Sequence, residues 1–121
     1  MEKIVTVGGH EYRMKSTAAN LLKYKAQFGR DLLEDIGMLQ KAQIPTGKKD
    51  ANGEALYAWD FSKVDLEVIY NMVWLLIKAA DPNLPPPMEW LDTLDTFPLA
   101  EAAGAAVALY AESMGGTSKN G

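Results

Sequence analysis

No segment limits the possible folds as tightly as LEVIYNMVWLLIKAA, residues 66–80. Leu66, Ile69, Val73, Leu76 and Ala80 recur at helical spacing, and Val68, Met72, Leu75 and Ala79 form a second stripe beside them. Only Lys63, Glu67, Tyr70, Asn71, Trp74 and Lys78 remain as a narrower polar strip. A helix this apolar must be covered on several sides, which makes it the central core helix. The run from Val68 to Ile77 is interrupted by Asn71 and bounded by Glu67 and Lys78. It falls far short of the roughly 20 residues of a spanning helix, so no membrane insertion is expected. Ser62-Lys63-Val64-Asp65 has the form of a capping box, with Phe61 and Leu66 at the staple positions. The spacing therefore predicts a helix over 63–80, ended by Asp81-Pro82.

The rest of the chain has to cover that helix. KIVTVGGHEYRMK reads as a β-hairpin turning at Gly8-Gly9, with Val7 opposite His10, Val5 opposite Tyr12 and Lys3 opposite Met14. Val5, Val7, Tyr12 and Met14 then share one face. A lone hairpin is marginal in water, so that face must rest on helices. STAANLLKYKAQFG predicts a helix capped by Ser16 or Thr17, with Ala18, Leu21, Leu22, Lys25 and Phe28 at helical spacing and Gly29 placed to end or bend it. RDLLEDIGMLQKAQ predicts another, with Leu32, Leu33, Ile36 and Leu39 as its stripe and Gly37 as a weak point. Residues 44–60 carry Pro45, Gly47 and Asn52-Gly53 and read as a long internal loop. Pro85-Pro86-Pro87 is a stiff connector into a short helix bearing Met88, Trp90, Leu91 and Leu94. Pro98 opens a final alanine-rich helix that Gly115-Gly116 stops. The expected fold is α+β, mostly α: an N-terminal β-hairpin packed on a bundle of about four to five helices. With 121 residues, it forms one domain over residues 1–114, followed by a flexible tail over 115–121.

Chemistry-bearing groups do not converge in this sequence. The formal net charge is -4 and the basic residues are scattered, which argues against nucleic acid as a partner. There are no cysteines and one histidine. His10 stands at the hairpin turn with no second histidine or thiolate for a metal. The acidic groups Asp31, Glu34 and Asp35, and Glu89, Asp92 and Asp95, read as solvated helix faces rather than metal or acid–base pairs. Lys23, Lys25 and Arg30 are available to them for surface ion pairs of little worth. The expectation is no catalytic residue, no metal and no cofactor. Aromatic side chains are the better candidates for partner contact. Trp74 falls on the polar strip of the core helix with Tyr70 one turn before it. The pair is either covered by the proline connector or offered to a partner. Trp90, and Tyr57 with Trp59 in the 44–60 segment, raise the same alternative.

Four stretches carry a family resemblance: YRMKSTA after the first strands, FGRDLLEDI, LEVIYNMVWLLIKAAD and EWLDTLDTF, together covering residues 12–97. In these the chain resembles the small tail assembly chaperones of long-tailed phages and prophages of Gram-positive bacteria. The alanine-rich PLAEAAGAAVALYAES departs from the mixed apolar helix of that family. The resemblance implies a non-enzymatic protein of the bacterial host cytoplasm. Its expected partner is the helical tape-measure protein, which it keeps soluble until the tail tube protein assembles around it. It leaves room for recruitment of tube subunits and for a homo-oligomer. The alternative from another class is a small structural head–tail or tail component retained in the virion.

Overall fold

In a computed structural model, residues 2–53 and 55–113 are described, in an α+β arrangement. The order is β1 (Glu2–Val7), β2 (His10–Lys15), α1 (Asn20–Phe28), α2 (Leu32–Ala42), β3 (Gln43–Lys49), β4 (Ala55–Trp59), α3 (Leu66–Ala80), α4 (Pro87–Asp92) and α5 (Leu99–Ser113). A 3₁₀ turn over Phe61–Lys63 leads into α3. The tail expected over 115–121 lies outside the described residues.

The β1–β2 hairpin has the register expected from its turn: Val7 opposite His10, Val5 opposite Tyr12 and Lys3 opposite Met14. Val5, Val7 and Met14 are buried, while Ile4 on the opposite face is exposed. β2 packs on α3, and β1 also touches α5. Gly8 is required twice over. Its φ is +60°, and a Cβ there would stand 2.9 Å from the Thr96 carbonyl oxygen and 3.1 Å from the Leu94 side chain. The turn is thereby wedged against the segment between α4 and α5.

α3 is the central helix, buried from Val68 to Ile77 except for half-buried Tyr70. Its start differs from the sequence expectation. Asp65, not Ser62, is the cap: its carboxylate accepts from the Glu67 N–H at 3.1 Å, so the helix begins at Leu66. Asp60 separately caps the 3₁₀ turn, accepting from the Ser62 N–H at 3.1 Å. Two short side-chain acceptors five residues apart thus split one expected helix into a turn and a helix. Leu66 consequently lies exposed at 38% instead of in the core stripe.

α5 lies against α3, and its Ala102, Ala103 and Ala106 are fully buried. Small side chains let the helix backbones approach, and Tyr110 uses that closeness. Its buried hydroxyl donates to the Met72 carbonyl of α3 at 2.9 Å.

Two further expectations are corrected. In α1 the buried residues are Asn20 and Tyr24, while Leu21 and Leu22 are exposed, Leu22 at 77%. The helix starts later than expected because Thr17 turns back onto Asn20, its N–H and hydroxyl each donating to Oδ1 at 2.9 Å. In α2, Leu33 is exposed and the buried stripe is Leu32, Asp35, Ile36, Leu39 and Ala42. A carboxylate takes a core position that the hydrophobic pattern had assigned to leucine.

The largest correction concerns residues 44–60. They are not a loop but an antiparallel hairpin, β3–β4, forming a sheet of its own. Gln43 faces Trp59, Ile44 faces Ala58 and Pro45 faces Tyr57, with an irregularity between Pro45 and Lys49. Gly47 and Gly53, with φ of +76° and +82°, serve that irregularity and the connecting turn. Turn residues inside the segment disguised the short β-propensity runs on either side of them.

Candidate interaction surface

The β3–β4 hairpin stands out as an arm whose side chains are nearly all exposed. It is anchored at its base. Trp59 stacks on Phe61 with ring centroids 5.4 Å apart, and the Trp59 ring lies 3.7 Å from where a Cβ on Gly104 of α5 would stand. Beyond that anchor Ile44 is 47% exposed, Leu56 43% and Tyr57 45%. Fully burying a side chain of this size contributes about 1.5–3 kcal/mol, so covering these exposed halves would add about 1 kcal/mol each. The free edge of β3 is blunted. Pro45 lacks an N–H, the strand is irregular after it, and Lys48 and Lys49 lie at its far end.

At the foot of the arm runs a groove of about 630 Å³, lined by Glu34, Gly37, Met38, Lys41, Ala42, Asp60, Lys63 and Val64. One wall is the outward face of α2, where positions 34, 37, 38 and 41 recur at helical spacing. The other is the 3₁₀ turn and the residues beside it. The Asp60 N–H donates to the Ala42 carbonyl at 2.9 Å, which joins the two walls at the C-terminal end of α2. Asp60 is exposed. The Ser62 hydroxyl and N–H, bonding to its carboxylate, hold it below the usual carboxylate range.

Beneath the groove, α1 and α2 are locked together by one buried carboxylate. Asp35 accepts from Arg30 Nε at 2.9 Å and Nη2 at 2.8 Å, and from the Tyr24 hydroxyl at 2.7 Å. Its side chain is 1% exposed and that of Arg30 42%. Burial works to raise the Asp35 carboxyl, but the hydrogen bonds from Arg30 and Tyr24 outweigh it and hold the group below its ordinary value. Burial and the bond to Asp35 push the Tyr24 hydroxyl up. Asp35 is therefore not part of a solvated acidic face, as its neighbours in sequence suggested. Asp31 instead caps α2, accepting from the Leu33 N–H at 2.9 Å. Among the described residues no three His, Cys, Asp or Glu side chains converge. His10 is exposed, its ring edge-on to Tyr12 at 6.4 Å.

The five aromatic candidates separate. Trp74 is covered: it is 5% exposed, its indole N–H donates to the Pro85 carbonyl at 2.8 Å, and Phe28 meets its ring edge-on at 5.9 Å. The proline connector folds over it, so it is no surface anchor. Trp90 is also buried, at 2%, with Tyr12 edge-on at 5.6 Å and Phe97 at 6.3 Å. Its indole N–H meets no acceptor among the described residues. Tyr70 is half-buried, 4.7 Å from Phe97, and lines a smaller hollow of about 340 Å³ with Leu91, Leu94 and Phe97. Tyr57 and half-buried Trp59 belong to the arm. The groove residues escaped sequence reading, since none is aromatic. The one available signal was Gly37, a costly residue to keep in a helix interior.

No family model matches the chain, and neither a curated protein nor a solved structure matches it.

Proposed function

We propose that the protein is a non-enzymatic tail assembly chaperone, which binds the tape-measure protein of a long-tailed phage in the host cytoplasm and assists assembly of the tail tube. Besides the resemblance, the observation that carries this reading is the β3–β4 arm. It holds Ile44, Leu56 and Tyr57 out from the core, each about half exposed, on a sheet that among the described residues has two strands. Apolar side chains displayed on a projecting element are suited to engage the apolar face of another chain. A net charge of -4 favours solubility of a loaded complex. No helix among the described residues is long and apolar enough to cross a membrane.

Co-expression tests the proposal. The tape-measure protein of the same phage genome is produced with and without this chain, and the soluble fraction is passed over a size-exclusion column. The expected result is a tape-measure protein that is soluble only in company and co-elutes with the chaperone. Insolubility in both cases, or separate elution, contradicts it. Recovery of the chain in stoichiometric amount from purified virions would instead favour a retained tail component.

A further inference from the structure

The two edges of the arm are not alike. Hydrogen-bonding groups alternate along an antiparallel pair, so one bond fixes which residues turn inward. The Asp60 N–H donates to the Ala42 carbonyl at 2.9 Å, and the Thr46 hydroxyl donates to the Leu56 carbonyl at 2.8 Å. In that register Ala42, Ile44, Leu56, Ala58 and Asp60 direct their backbone groups across the hairpin. Gln43, Pro45, Tyr57 and Trp59 direct theirs outward. Gln43 agrees with this, since its N–H goes back to the Gln40 carbonyl of α2. On the β3 edge the outward residue Pro45 has no N–H to offer, and Lys48 and Lys49 follow it. The β4 edge, ALYAW, carries no proline and no charged side chain. Its outward groups are those of Tyr57 and Trp59, and among the described residues no other strand lies against them.

Free N–H and C=O groups along an uncharged strand invite pairing with another chain, and edges are ordinarily guarded by the devices that β3 has and β4 lacks. A two-stranded hairpin is also marginal in water. This one, anchored at its base through Trp59, exposes Ile44, Leu56 and Tyr57 along its length. Added strands would steady it, and the chemistry of the two edges selects their source. Setting β4 against β3 of another copy would oppose its free groups to Pro45 and bring them near two lysines. That contact is head-to-tail and would propagate without closing. Setting β4 against β4 of a second copy is self-complementary. Antiparallel about Tyr57, it places Leu56 opposite Ala58 and Ala55 opposite Trp59, with no like charges opposed.

We propose that the β4 edge is the interface with a second copy of this chain, antiparallel and two-fold symmetric about Tyr57, so that two arms merge into one four-stranded sheet in the order β3-β4-β4-β3. Tyr57 of each copy exchanges N–H and C=O bonds with Tyr57 of the other. The two-fold axis stands perpendicular to the sheet. Leu56 and Ala58 share one face because strand side chains alternate, and Ile44 joins them as the partner of Ala58 in the hairpin. In the merged sheet these three residues of both copies lie on the same side. The outer edges are then the two β3 strands, and the proline and lysines sit where a finished sheet needs them. The interface closes at two chains. This inference goes beyond the chaperone reading and does not depend on it.

Sedimentation equilibrium of the full chain over a concentration series tests it. Tyr57→Lys and Tyr57→Glu each set like charges against one another across the two-fold axis, at a position already 45% exposed. Leu22→Lys, on α1 at 77% exposure, is the control. The unaltered chain should dimerise. The dimer dissociation constant should rise more than tenfold with either Tyr57 variant and stay unchanged with Leu22→Lys. An equimolar mixture of the two Tyr57 variants should recover the dimer, because opposite charges then meet at the axis. A second measurement covers the case in which a charged variant fails to fold. The chain has no cysteine, so Tyr57→Cys supplies its one thiol. Cα atoms of such a pair stand about 5.5 Å apart, within disulfide range. Mild oxidation should link two copies of Tyr57→Cys and leave Leu22→Cys unlinked. A chain that is monomeric at every concentration, a dimer indifferent to the Tyr57 variants, no cross-link at Tyr57→Cys, or an assembly that grows without closing overturns the inference. So does Tyr57→Lys releasing the tape-measure protein with sedimentation of the chain alone unchanged, which would make a strand of that partner the occupant of the edge. Co-expression that retains no tape-measure protein, beside an intact dimer, removes the chaperone reading and leaves this interface standing.

Discussion

Trp74 illustrates how one side chain changes meaning with its surroundings. On the helix it occupies the polar strip. In the fold, the Pro85 carbonyl takes its indole proton and the connector closes over the ring. It is a core aromatic that happens to satisfy its polar atom with a backbone acceptor from another segment. Trp74→Ala should therefore cost about 3–5 kcal/mol of folding stability, as for other buried aromatics. Urea unfolding followed by far-UV circular dichroism reads the change directly. A variant as stable as the parent would mean that the connector does not cover this side chain. Gly8 is the opposite case at the same scale: a residue with no side chain, required both by its positive φ and by the Thr96 carbonyl at its back.

Among the elements, α1 and α2 are joined by the Tyr24–Asp35 hydrogen bond, with Arg30 of the connecting segment on the same carboxylate. Asp35 has a folded-state pKa below its unfolded value, which is near 3.9 for an ordinary aspartate. The stabilisation is thus fully present above that unfolded value and is lost as pH falls through the folded one. Replacing Asp35 with Asn should cost about 1–3 kcal/mol at pH 7, where a charged hydrogen-bond acceptor is removed from Arg30 and Tyr24. The difference between parent and variant should shrink as the pH is lowered from about 4 toward 2. Denaturant melts at several pH values test this. A gap that stays constant over the acid range would show that the carboxylate's charge is not what joins the helices.

At the scale of the whole molecule the chain divides into a packed body and a projecting arm. The body is built on α3, with the β1–β2 hairpin, α1, α4 and α5 against it. The arm adds little to that core beyond Trp59. Replacing residues 44–58 by an Asn-Gly turn between Gln43 and Trp59, which already face each other, should leave a cooperative unfolding transition. Its midpoint should fall by no more than about 5 °C, since the residues removed are mostly surface positions. Loss of the cooperative transition would show that the arm is part of the core. The same variant should lose retention of the tape-measure protein in the co-expression assay.

Local rules were enough for much of this architecture. The register of β1–β2 followed from a two-residue glycine turn and alternation, the stop of α1 from Gly29, and the core role of α3 from two adjacent apolar stripes. Each depends on neighbours within a few residues, which a sequence displays. What escaped depended on partners distant in the chain. Asp35 looked like one more solvated acid until Arg30 and Tyr24 closed on it. The start of α3 turned on which of several short polar side chains captured the free N–H groups. Leu21 and Leu22 had the right spacing for a core face, but that face of α1 found nothing to bury it. The β3–β4 pairing joins two short runs across a turn-rich stretch, so its hydrogen bonds leave no periodic trace strong enough to read. The groove is a further step removed. It exists only because Asp60 meets Ala42, and the surface between them belongs to neither segment alone.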